Sequence, residues 1–245
     1  MKTSSKILIA TFVIFIASLM TYDLTLRAEY LTGDYTRPFN GYVPLSYSGF
    51  NTIELNASTA VNILVVQGPY KVLANPDAMD FLKVSKVNNR LIIDAAFSDH
   101  YRSLNTDYII YISCPNLSSF KADAHYTTAG NTVIDTAAAD FAWTPTVISG
   151  FMADSLNIQE THAADVVLEN NRINDLNGNV GIDEKSRSNL TVGINNKFNK
   201  SNLVILNRSR LRIKGTTTNN LTYHLADSAT LVMNGATAKH LLNLK

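Results

Sequence analysis

The sequence predicts an all-β protein: a single-stranded parallel β-helix, or solenoid, with an N-terminal hydrophobic signal-anchor helix. Three observations predict it. Four segments in the C-terminal part, 164–170, 188–194, 209–215 and 229–235, each open on a small residue and place apolar residues at the third and fifth positions. Their starts lie 24, 21 and 20 residues apart, a period expected of stacked repeats. From Phe50 onward apolar and polar residues alternate in short runs broken by turn residues, which is the strand pattern. Finally, Lys2 and Lys6 precede an uncharged apolar run over 7–20.

That run reads as an export signal, with the lysines staying on the cytoplasmic side. No Ala-x-Ala site follows it, so the reading is a retained anchor over 1–23, with a cleaved signal peptide as the alternative. Either way the remainder lies outside the cytoplasm, facing the periplasm from the inner membrane or, if cleaved, in the periplasm or at the cell surface. Residues 24–48 show neither strand nor helix period and read as a stalk. Most of its tyrosines are expected to pack under the first strands. Residues 49–245 then form the β domain.

Composition sets bounds on function. With 245 residues and 46% hydrophobic content the chain can bury a sizeable core. Its formal charge of +1 gives no reason to expect nucleic acid. Asn is abundant, 26 residues, against 11 Gly and 6 Pro. Asn tolerates left-handed backbone geometry, so tight corners are expected. The one cysteine, Cys114, excludes an internal disulfide and a cysteine zinc site and reads as a buried apolar residue.

Within the domain, Ile53 and Leu55, then Val61, Ile63 and Val65, alternate up to the turn at Gln67, Gly68 and Pro69. Val72 and Ala74 follow. Pro76 is suited to open a short helix over 77–81. Asn88 and Asn89 suit a tight hairpin before Leu91, Ile92 and Ile93. Residues 108–113 read as a buried strand ahead of Cys114, Pro115 and Leu117. The order of these features resembles the putative auto-transporter adhesin, head GIN domain family of bacterial envelope proteins. The resemblance covers about 50–245, implies a parallel β-helix and supplies no catalytic residues. After Leu117 the chain departs from the family's Ser-Gly-Ala turns, with Ala122, Asp123, Ala124, His125 and Tyr126 in their place.

In the repeats, Val166, Leu190, Leu211 and Leu231 are expected to form one inward column, and Leu168, Val192, Ile213 and Met233 a second. An earlier strand in each repeat is read from Leu156/Ile158, Val180/Ile182, Leu203/Ile205 and Leu221/Tyr223, with insertions at 170–179 and 195–202. Phe141, Trp143, Phe151 and Met152 interrupt the pattern and are expected to pack.

Candidate chemistry is sparse. The five histidines stand singly with no zinc-binding spacing. Ser98, Asp99 and His100 are triad residue types without a nucleophile elbow. No metal and no cofactor is expected. The distinctive feature is Arg208, Arg210, Arg212 and Lys214. Alternate positions share one strand face, so these cations form an outward row suited to an anionic glycan, lipid headgroup or surface polymer. The repeat register supplies no acidic neighbour to Arg210 or Arg212. The function expected is that of a non-enzymatic envelope protein presenting a binding face, adhesin-like or an assembly module. The alternatives are a polysaccharide lyase or hydrolase and a purely structural periplasmic spacer. A C-terminal edge at 241–244 is expected to permit self-association.

Overall fold

The computed structural model describes residues 3–33, 38–104, 106–137, 145–214 and 221–241. The chain divides into two units, Met1–Gly41 and Tyr42–Lys245. The first contains one helix, α1 (Thr3–Thr32), long and apolar enough to cross a membrane. No α1 residue is buried, as expected of a segment whose solvent is lipid rather than a protein core. The helix continues through Leu24–Thr32, where the sequence reads as stalk.

In the second unit the strands are β1 (Val43–Leu45), β2 (Thr52–Leu55), β3 (Ile63–Gln67), β4 (Lys71–Ala74), β5 (Leu82–Val87), β6 (Arg90–Phe97), β7 (Ile110–Cys114), β8 (Ser119–Ala122), β9 (His125–Thr128) and β10 (Asn131–Ile134). They continue as β11 (Thr146–Ser149), β12 (Met152–Glu160), β13 (Asp165–Glu169), β14 (Arg172–Val180), β15 (Asn189–Val192), β16 (Lys197–Ile205), β17 (Arg210–Ile213), β18 (Tyr223–Leu225) and β19 (Thr230–Met233), before a short helix α2 (Gly235–Leu241). A nine-stranded sheet runs β1-β4-β7-β3-β11-β13-β15-β17-β19. A ten-stranded sheet runs β10-β9-β6-β2-β8-β12-β14-β16-β18, with β5 on β6.

This arrangement overturns the expected single-stranded parallel β-helix or solenoid. The strands form two large sheets that mix parallel and antiparallel pairs, and the N-terminal helix belongs to the other unit. β1–β4, β4–β7, β5–β6 and β9–β10 are antiparallel. The cause is local. Asn88 takes φ 56° between β5 and β6, and Ala129 and Gly130 take φ 48° and 79° between β9 and β10. Two-residue turns of this kind join only antiparallel neighbours. The second of these hairpins follows the stretch where the chain departs from the head GIN pattern.

The C-terminal strands pair in parallel, and register sets their core. Val166, Leu190, Leu211 and Leu231 stand opposite one another, as do Leu168, Val192, Ile213 and Met233. In the other sheet Ile158 faces Gly178 and Leu203, and Glu160 faces Val180 and Ile205. That differs from the expected grouping of Val180 and Ile182 with Leu156 and Ile158; Ile182 lies outside the strand and is exposed. Residues 170–179 and 195–202 are not insertions but belong mainly to the long strands β14 and β16. Phe151 is buried in the core while Met152 is exposed. Phe141 and Trp143 lie outside the described residues.

Asparagine makes the corners. Asn170 and Asn195 take φ 56° and 59°, and the residue after each turns its side chain inward, fully buried. Asn171 accepts from the Phe151 N–H at 2.9 Å and donates to the Ile148 carbonyl at 2.9 Å. Asn196 accepts from the Asn171 N–H at 3.0 Å and donates to the Leu168 carbonyl at 2.7 Å. Each amide thus satisfies backbone groups the turn would leave bare. Asn171→Ala strands several buried partners, each costing about 1–3 kcal/mol. We expect a loss of about 2–4 kcal/mol in a denaturant melt; a loss below about 0.5 kcal/mol would mean water replaces the amide.

Tyr42 and Tyr47 from the expected stalk pack on the domain, donating to the Tyr108 and Val84 carbonyls at 2.6 Å each. Tyr30 lies on the exposed helix, and Tyr35 is outside the described residues. Cys114 is fully buried, and burial pushes its thiol up to about 12, which leaves it unreactive.

Candidate functional site: a basic face on the nine-stranded sheet

Asn207 takes a left-handed φ of 54° in the turn that precedes β17. Inward Leu211 and Ile213 are buried, which leaves Arg210 and Arg212 to point outward. Arg210 and Lys214 are exposed and Arg212 is half-buried. Lys214 extends the row past the strand, its N–H bonding the Val192 carbonyl at 2.9 Å. Arg208 belongs to the preceding turn, so the row expected from the sequence comprises three face residues and one turn residue. Among the described residues none of the four makes an ion pair.

Register places Asn189 and Thr230 beside Arg210, and Thr191 and Val232 beside Arg212, as the sequence indicates. No adjacent strand therefore places an acid beside either arginine, but one acts from farther away. Asp165 stands in the same outward column as Asn189 and Arg210, two strands away. Burial raises its carboxyl to about 6, while Arg212, Lys214 and Arg210 pull it down. Two interstrand spacings are about 10 Å, close to a Debye length, so charge reaches past the nearest strand. Glu169 also leans this way. A Cβ at Gly193 would lie 2.8 Å from its Cγ, so only a glycine lets the Glu169 side chain cross that strand.

Two other polar groups were not visible in the sequence. His125 and His162 are 37 positions apart, yet both contact Asp123, at 3.2 and 2.5 Å, and His162 Nε2 lies 3.7 Å from Asp183. The ring ties neighbouring turns together. His100 and Asp99 pair at 3.0 Å on an exposed loop, with Ser98 3.4 Å from the same carboxylate, and no nucleophile is activated there. Among the described residues no group of three or more His, Cys, Asp or Glu side chains could hold a metal.

The second group is interior. Glu160 ends β12 on an inward position and is fully buried, with neither carboxylate oxygen hydrogen-bonded. Burial, then the charge of Asp165, push its carboxyl well above the usual range. The Ser188 side chain is the group that favours its charged form. Yet that hydroxyl has one proton and gives it to the His162 carbonyl at 2.8 Å. The protonated acid can itself donate to Ser188, so the neutral form suits this site. A carboxyl sealed in this way cannot reach a sugar ring, as a glycosidase acid must.

No protein-family model matches the chain, and no curated protein matches it. Solved structures do. The chain is similar to a putative adhesin from Bacteroides fragilis at 14% identity and a TM-score of 0.41, covering 79% of this chain and 96% of that one. It is similar to a putative adhesin from Parabacteroides merdae at 10% and 0.30, covering 80% and 97%. It is also similar to a putative lipid binding protein from Parabacteroides distasonis at 13% and 0.33, covering 80% and 96%. The likeness to putative adhesins is thus present among solved structures, while the head GIN domain family has no match.

Proposed function

We infer that this is an exported, membrane-anchored, non-enzymatic binding protein whose basic face docks an anionic envelope polymer or headgroup. The observation that carries it is the set of cations Arg210, Arg212 and Lys214 on one sheet face, the first and last exposed and Arg212 half-buried, none of them in an ion pair among the described residues and opposed mainly by the partly buried Asp165. α1 supports the anchor, and the N-terminal lysines Lys2 and Lys6 support a periplasm-facing orientation. Within the same reading, the strand signatures over 50–117 support kinship with the head GIN domain proteins; the limits 1–23, 24–48 and 49–245 read from the sequence are kept only as an approximate division, since α1 runs to Thr32 and β1 already belongs to the sheet. Self-association would use the last strands, β18 and β19. Of the edge expected at 241–244, Leu241 ends α2 and the rest lies outside the described residues.

Asp165 gives the reading a pH signature. Above about 6 its charge offsets one cation, and below that value it is neutral. Polyanion affinity of the detergent-solubilised chain should therefore rise from pH 7.5 to pH 5, and Asp165→Asn should remove most of that rise. The same samples, assayed for polysaccharide turnover, separate binding from catalysis. Absence of polyanion binding at both pH values sinks the proposal, and turnover restores the enzyme reading.

A further inference from the structure

The opposite sheet carries a surface of different chemistry. On the outer face of the ten-stranded sheet, register lines up Ser119, Asn157, Asn177 and Asn202 on β8, β12, β14 and β16. One outward position along lies a second column of Lys121, Gln159, Asn179 and Val204. Asn157, Asn177, Asn179 and Asn202 are exposed and Gln159 is half-buried.

Asparagines stacked on parallel strands commonly close into a ladder, amide to amide. Two ladders here do close. Asn199 donates to Asn174 at 2.7 Å and Asn174 to Asp154 at 3.0 Å, while Asn195 donates to Asn170 at 3.1 Å. The strip stays open. Asn177, Asn179, Asn202 and Gln159 make no side-chain hydrogen bond among the described residues, and Asn157 makes one, to the Ser118 carbonyl at 3.3 Å.

Each open amide offers two N–H donors and an oxygen acceptor. They repeat about every 4.8 Å across the strands and about 7 Å along them, over about 14 Å from Ser119 to Asn202. This lattice lacks the aromatic or large apolar centre of a protein interface, and its first column carries no cation for a polyanion. What it matches is a chain of uncharged groups that both donate and accept. At β8 the strip reaches a shallow cleft of about 310 Å³, where Ser119 meets Thr52, Asn89 and Arg90, so a chain crossing the strands has a recess to enter. The geometry points to a docking strip for a neutral, polyhydroxylated glycan, distinct from the basic face.

The test is affinity electrophoresis of the full chain, in a non-glycosidic detergent, through gels containing dextran, a β-1,3-glucan, hydroxyethyl cellulose or a galactomannan. Retardation is expected in at least one gel. Asn177→Ala/Asn202→Ala should weaken it about tenfold, from the loss of several neutral hydrogen bonds, while Arg210→Ala/Arg212→Ala leaves it unchanged. The first pair is exposed, so the fold should survive, which circular dichroism checks; Asn179→Ala serves if it does not. Normal migration in every neutral gel overturns the proposal, as does full retention of the asparagine variants.

Discussion

A Leu211→Asp protein should not fold. Leu211 is fully buried in an inward column between Leu190 and Leu231. Even Leu211→Ala should cost about 2–5 kcal/mol, from lost transfer energy and the cavity left behind. A carboxylate there finds no donor and adds a desolvation cost of several kcal/mol, against a whole-domain stability of about 5–15 kcal/mol. Soluble expression and a thermal melt report the outcome. A soluble, cooperatively melting Leu211→Asp chain would show that this residue faces water and that the register is wrong.

Glu160→Gln should act in the opposite direction and stabilise the protein at neutral and alkaline pH. The Glu160 carboxyl is raised well above 4.5 in the folded state, and that of Asp165 is raised from 3.8 to about 6. A raised carboxyl contributes its stability fully below the unfolded value and loses it as pH rises through the folded one. Where the folded chain holds a proton that the unfolded chain has released, stability falls by about 1.4 kcal/mol per pH unit for each proton. The amide of E160Q keeps the size and neutrality of the protonated acid without that loss. Urea melts from pH 4.5 to 8 should show the variant gaining on the parent as pH rises, with the Asp165 part of the slope, up to about 6, retained. A gap independent of pH would mean that Glu160 is charged in the fold.

These two residues mark what the sequence reveals and what it hides. Leu211 lies in a segment where polarity and geometry agree: small residue, then alternate aliphatics facing inward, so the columns of β13, β15, β17 and β19 are readable directly. Glu160 lies where they disagree. Its column continues into Val180 and Ile205, yet a charged residue there reads as outward. One inward position earlier, Gly178 has no side chain to read at all. Its place is filled from the neighbouring strand, since a Cβ there would come within 2.8 Å of Leu203 Cδ2. Those two positions explain the misplaced grouping around Val180 and Ile182. Of the two antiparallel hairpins, the one at Asn88 and Asn89 was legible from its turn residues, as β5 and β6 bear out, whereas the one at Ala129 and Gly130 was hidden, because a period found in the C-terminal strands says nothing about a turn there. Of the candidate site, the alternation of Arg210, Arg212 and Lys214 was legible, whereas the influence of Asp165 acts through space across two strands.

The basic face is tested most directly by location, not by net charge. Retention of the detergent-solubilised chain on dextran sulfate can be measured as the salt concentration needed for elution. Arg210→Ala/Arg212→Ala should elute at clearly lower salt than the parent. Arg172→Ala/Lys197→Ala, which removes the same charge from exposed positions on the other sheet, should elute close to the parent. Equal losses in the two variants would show that only overall charge is sensed and would contradict a docking face at β17.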